Sequence, residues 1–166
     1  MRPLSVARCV VLSGAIVFIA AIAPLGADEW ARFRGPNGSG VSSAARVPTE
    51  FGPETNVAWK SAVPFGRSSP VVTAERIFLT AVDDDKLVTL AFERATGRVL
   101  WRREIVKSHT ADLYKDTNSA TPSPASDGEN VYAFFHESGL VSYDAYGALR
   151  WHKRLGPFRN YYGIAS

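Results

Sequence analysis

Three histidines, His109, His136 and His152, are the side chains best suited to move a proton near neutral pH or to offer an imidazole nitrogen to a transition metal. No two of them, and none with a cysteine, stand at the intervals that metal-binding motifs use. His152 follows a tryptophan in a strand-like stretch and is expected to face solvent. The run Asp83-Asp84-Asp85 offers hard oxygen ligands of the kind Ca²⁺ takes. It lacks the alternation and the glycine of a calcium loop, so it reads as a solvated turn between two strands. Ser68, Ser69, Ser119 and Ser123 have no G-x-S-x-G elbow around them, and their hydroxyls are expected to bond to backbone. These residues give no catalytic or metal-ligand assignment.

A second polar set is defined by position. Arg67, His109, Asn118, Arg159, Asn160, Tyr161 and Tyr162 each lie in a segment leading into a serine-containing strand start. If those strands begin at one face of the molecule, the set gathers around that face, where loops on a rigid scaffold commonly bind ligands.

The elements that must position these residues show themselves as a repeat. Trp59, Trp101 and Trp151 recur at spacings of 42 and 50 residues, close to the length of one four-stranded propeller blade, with Trp30 outside the series. Between them the same signals follow in the same order. Ser69-Pro70-Val71-Val72 leads through a turn at Thr73–Arg76 into Ile77-Phe78-Leu79. Ser123-Pro124-Ala125-Ser126 leads through Asp127-Gly128-Glu129-Asn130 into Val131-Tyr132-Ala133, and its Asp-Gly pair favours a tight turn. Each copy continues with another strand, Lys86–Glu93 or Gly139–Asp144, then a turn and a strand ending in tryptophan. Gly97 and Gly147 stand four residues before Trp101 and Trp151, where a turn needs the positive φ that glycine takes freely. No helical period follows residue 27, and the polar stretch Asp112–Asn118 holds at most one helical turn.

The run Ala91-Phe92-Glu93-Arg94-Ala95-Thr96-Gly97-Arg98-Val99-Leu100-Trp101 resembles the tryptophan-docking motif A-x-D-x-x-T-G-x-x-x-W of pyrroloquinoline quinone (PQQ) repeat proteins, with Glu93 in place of Asp. Ser142–Trp151 is a shortened version that keeps Asp144, Gly147 and Trp151. The opening Trp30-Ala31-Arg32-Phe33-Arg34-Gly35-Pro36-Asn37-Gly38 and the run Leu155-Gly156-Pro157-Phe158 are also similar to exported PQQ-like proteins of environmental bacteria. The resemblance implies an all-β fold, a quinoprotein-like β-propeller of four-stranded antiparallel blades. It also implies that the tryptophan of one blade is held against its neighbour, which makes Trp59, Gly97, Trp101, Gly147 and Trp151 structural docking residues. The polar set named above would then ring the mouth of the propeller's channel.

Composition adds the compartment. Arg2 and Arg8 precede an uncharged apolar stretch, Cys9–Ala23, which is short for a membrane span and reads as a Sec-type secretory signal. Cleavage is expected after Ala27, because Pro24 would hinder a cut after Ala23; an uncleaved anchor is the alternative. Cys9, the only cysteine, lies too early to carry a lipid at a new amino terminus, and the paired arginines of a twin-arginine signal are missing. Setting Arg2 and Arg8 aside leaves 17 basic residues against 16 acidic, so the high pI gives no support for nucleic-acid binding. No stable membrane span is expected after cleavage.

The chain therefore reads as a signal (1–27), an irregular lead-in packed on the surface (28–55), an orphan closing strand (56–63), two blades (64–106 and 119–156) and the start of a further blade (157–166). Asn56–Lys60 has the pattern of a blade's last strand with no three strands before it, and the expected form is an incomplete propeller. The function expected is an exported, periplasmic or secreted, non-enzymatic scaffold presenting loops or a blade edge to a protein or saccharide partner, without cofactor. In repeat type it is similar to the family of the lipoprotein subunit of the outer-membrane β-barrel assembly machinery. The alternative is a quinoprotein dehydrogenase oxidising an alcohol or sugar with PQQ and Ca²⁺. The vicinal disulfide that the resemblance implies for many alcohol-oxidising members has no counterpart here.

Overall fold

The computed structural model describes residues 29–43, 47–111, 113 and 117–158. The segment expected to be a secretory signal and Arg159, Asn160, Tyr161 and Tyr162 lie outside the described residues. Among the described residues eight strands form two four-stranded antiparallel sheets, each a meander in chain order. The first contains β1 (Val71–Val72), β2 (Arg76–Asp83), β3 (Lys86–Glu93) and β4 (Val99–Val106). The second contains β5 (Ala125–Ser126), β6 (Asn130–Phe135), β7 (Gly139–Asp144) and β8 (Leu149–Lys153). The fold is all-β, two blades of an incomplete propeller.

Side chains alternate across each strand, and both faces of the middle strands are covered. Leu87 and Ala91 join Val71, Phe78 and Trp101 in a core shared with Val131, Ala133, Phe135, Val141 and Tyr143 of the second blade. Val88, Leu90 and Phe92 point the other way and pack with Ala81, Ile77 and Leu79. This double coverage explains why β3 reads as an almost unbroken apolar run rather than an alternating one. Each fully buried Phe or Leu is worth about 1.5–3 kcal/mol of transfer free energy. The inter-blade core is therefore the main cohesive element.

The two blades repeat in detail. The register of β3 and β4 pairs Ala91 with Trp101 and then shifts, so that Phe92 faces Val99. The register of β7 and β8 pairs Ser142 with Trp151 and shifts in the same way, with Tyr143 facing Leu149. A bulge of this kind re-aims the side chain beside it, here the tryptophan. The β3–β4 turn is tied to the β1–β2 turn by Arg94 N–H to Glu75 O at 2.8 Å, and the β7–β8 turn to the β5–β6 turn by Ala145 N–H to Glu129 O at 2.9 Å. These turns define one end of each blade. The β2–β3 and β6–β7 turns, with the segment joining the blades, define the other.

The departure of the motif at Glu93 has a local cause. At the matching position of the second blade, Asp144 Oδ1 closes the turn by accepting from the N–H groups of Tyr146 and Ala148, at 2.9 and 2.8 Å. The longer Glu93 instead reaches the Thr96 hydroxyl and the Arg98 guanidinium, and Thr96 Oγ1 takes over the backbone by accepting from Arg98 N–H.

The lead-in, mostly exposed among its described residues, makes backbone bonds to both blades. Trp30 N–H donates to Val72 O at 2.7 Å and Val72 N–H to Trp30 O at 2.9 Å, on the edge of β1 away from β2. Ser126 N–H, on β5, donates to Ala31 O at 2.8 Å. Residues 56–63 pair with no strand among the described residues, and the bridge Phe65–Val82 follows them.

Candidate functional site

The tryptophans meet glycines of the following unit, not the ones that precede them in sequence. Trp59 Nε1–H donates to Arg94 O at 2.9 Å, and its ring occupies the space a Cβ on Gly97 would fill. Trp101 Nε1–H donates to Ala145 O at 2.9 Å, and a Cβ on Gly147 would lie 2.8 Å from its ring. Gly97 and Gly147 both have positive φ, +73° and +85°. Trp151 occupies the register position of Trp101 on β8 yet is 42% exposed, against 7% for Trp101.

At the opposite end of the blades, the segment leaving β4 folds over the β6–β7 turn. Ser108 donates to Glu137 O from its N–H at 3.0 Å and also from its hydroxyl. The Ser119 hydroxyl donates to Glu137 Oε1, and Lys107 Nζ lies 3.9 Å from the same oxygen. Asn118 N–H is held by Thr121 Oγ1 at 2.9 Å, and Asn118 Oδ1 accepts from Ala120 N–H at 2.9 Å. His109 Nδ1 stands 3.1 Å from Ser108 Oγ, and its ring centroid is 6.2 Å from that of His136. His136 in turn packs against Phe158. Glu137 is 1% exposed and His136 5%.

This cluster is under-satisfied. Among the described residues His109 Nε2, Asn118 Nδ2, His136 Nδ1 and Glu137 Oε2 are buried and have no hydrogen-bond partner. Such groups carry a desolvation cost of about 1–3 kcal/mol each, which strain, a bound water or ion, or a functional role accounts for in native proteins. Donor and acceptor capacity are both present, which suits recognition of polar groups. Among the described residues no three His, Cys, Asp or Glu side chains converge to hold a metal ion.

Two members of the expected set, His109 and Asn118, each adjoin a serine bonded to Glu137, and His136 lies against His109. Arg67 stays apart, exposed, with its guanidinium carbon 5.8 Å from the Phe65 ring centroid. His152 corrects the expectation that it faces solvent: its Nε2 is 3.0 Å from Ser138 O and 3.1 Å from Ser138 Oγ, where it fastens β8 to the β6–β7 turn. Of the four serines, Ser68 and Ser123 meet the expectation that the hydroxyl bonds backbone. Ser68 Oγ bonds Thr80 backbone and Ser123 Oγ accepts from Ser69 N–H, but Ser119 binds the Glu137 carboxyl. Glu137 is the residue that sequence reasoning missed. Its only signal is the run His136-Glu137-Ser138 directly after a strand of large apolar residues.

Elsewhere the charges pair on the surface. Arg102 bonds Asp83 at 2.5 Å and Glu104 at 2.7 Å, and Lys86 reaches Glu104 at 2.9 Å. Lys86 and Arg102 hold the Glu104 carboxyl below its ordinary pKa, and Thr96 and Arg98 do the same to Glu93. Asp127 is depressed most, by the Tyr132 hydroxyl first and then by Asn130 N–H. A carboxyl lowered on folding contributes stability that is complete above its unfolded pKa, about 4, and lost as pH falls through the folded value. Thermal melts of Asp127→Ala and the unaltered protein are thus expected to differ at pH 7 and to converge in strong acid. A difference that persists at a pH low enough to protonate Asp127 in the folded protein would assign the effect to packing instead.

Residues 52–161 match a PQQ-repeat family model described as outer membrane protein assembly factor BamB. No curated protein matches the chain.

Proposed function

Since the chain belongs to the PQQ-repeat family described as outer membrane protein assembly factor BamB, we propose that it is an exported, non-enzymatic propeller module that binds a protein or saccharide partner through the face carrying the β2–β3 and β6–β7 turns. The observation that carries this reading is the buried polar cluster of His109, Asn118, His136 and Glu137, held at that face by the segment between the blades. No helix among the described residues is long and apolar enough to cross a membrane. Export rests on the expected signal and on the family's description.

A photo-crosslinking residue at Thr110, exposed beside the cluster, is expected to give adducts in the native cell envelope, whereas one at Tyr146, exposed at the other end, gives none. Adducts from Tyr146 alone would place the partner on the wrong face for this reading.

The dehydrogenase alternative needs carboxylate and amide oxygens gathered around Ca²⁺ and a quinone. The acidic run does not supply them, since Asp83 is bound by Arg102 and Asp84 sits on the β2–β3 turn with φ +52°. The intact protein incubated with PQQ and Ca²⁺ is expected to lose quinone absorbance on desalting and to show no dye-linked alcohol oxidation. Stoichiometric retention of PQQ would overturn the non-enzymatic reading.

A further inference from the structure

The lead-in contains the run Trp30–Gly38, which no part of the proposed function uses. Its position is informative. β1, which contains the buried Val71, and β5, which follows the buried Pro124, are each two residues long and form one edge of their sheets, whereas β4 and β8 form the more exposed edge. Short edge strands covered in this way face the centre of a propeller, where the blades surround a channel. Consecutive residues of the lead-in bond to both: Trp30 exchanges two backbone hydrogen bonds with Val72, and Ala31 O accepts from Ser126 N–H. Glu29 Oε1 adds a bond from Ala74 N–H at 3.3 Å.

These contacts all fall at the end of β1 and β5 nearest the β1–β2 and β5–β6 turns. The segment is preformed for the position. The Trp30 ring lies over Gly35, where a Cβ would stand 2.7 Å from it, and Gly40 N–H closes the loop onto Arg34 O at 2.8 Å. The Arg32 guanidinium turns inward to the carbonyls of Gly35 and Pro36. Backbone that would otherwise be an open edge is thereby satisfied from within the chain.

We infer that the segment Trp30–Gly40 plugs the centre of the propeller at the end carrying the β1–β2 and β5–β6 turns, so that the central channel opens only at the opposite face. The plug is independent of what the module binds and holds whether or not the polar cluster contacts a partner.

Hydrogen exchange of the intact protein tests this directly, because the Val72 and Ser126 N–H groups point to the proposed plug. Both are expected to exchange slowly. Gly35→Val, which has no room under Trp30 and resists the φ of +77°, is expected to speed both by about tenfold or more while leaving Leu87–Phe92 protected. Fast exchange of Val72 and Ser126 in the unaltered protein, or no change in the variant, would overturn the inference. If the variant loses protection everywhere, a disulfide decides. The mutual Trp30–Val72 pair implies Cα atoms about 5.5 Å apart, within disulfide reach. Trp30→Cys with Val72→Cys is expected to cross-link within one chain, and free thiols after oxidation would refute the plug.

Discussion

Replacing Trp101 by Ala is expected to destabilise the protein by about 3 to 5 kcal/mol, the usual cost of removing a large buried aromatic. The ring is 7% exposed and lies in the core common to both blades, with its centroid 5.9 Å from that of Phe78 and 5.8 Å from that of Tyr143. It also fills the concavity over Gly147, and its N–H satisfies Ala145 O. The cavity left by Ala would be bordered by two blades, so neither can relax into it without losing contact with the other. Trp101→Phe is expected to recover most of the loss and to leave about 1 to 3 kcal/mol, the cost of an unpaired carbonyl. Denaturant unfolding of the intact protein measures both. A midpoint for Trp101→Ala equal to that of the unaltered protein would show that the ring carries no inter-blade contact.

The second large effect is on association. Residues 28–166 expressed alone are expected to self-associate, because the β8 side of the second blade exposes Trp151, whose counterpart Trp101 is buried in the first blade. Trp151 is 42% exposed and Leu149 60% on the same strand. Contiguous apolar surface next to an unpaired strand edge favours aggregation. Light scattering should show mass rising with concentration, and Leu149→Lys with Trp151→Glu should suppress it. A compact monomer at all concentrations, melting cooperatively, would refute the expectation.

The strands were legible because each is a local pattern. Lys86–Glu93 and Gly139–Asp144 are bounded in the structure at the residues where turn chemistry interrupts the apolar run. β4 extends past Trp101 to Val106, since its ladder with β3 continues to Lys86 after the tryptophan signal has ended. The cluster was legible only in part. His109 and Asn118 are marked by their place before a strand start, whereas burial of Glu137 is produced by a segment some thirty residues earlier folding over it, which no local period encodes. The same holds for His152, whose partner lies on the neighbouring turn, and for the lead-in, whose hydrogen bonds go to β1 and β5.

The placement of Trp59 and Trp101 on the next unit's glycine also makes the joint between units heterologous: the donor surface of one unit differs from the acceptor surface it meets. Joints of this kind are not self-limiting. Each unit offers a socket behind and a plug-shaped ring ahead, so a unit can be gained or lost by duplication or deletion without inventing a new contact. The number of units is then set by the rotation between successive blades, which must sum to a full turn for a closed ring. A substitution that alters the angle at Gly97 or Gly147, rather than the strength of the contact, is the kind of change that would convert one ring size into another or turn a ring into an open helix.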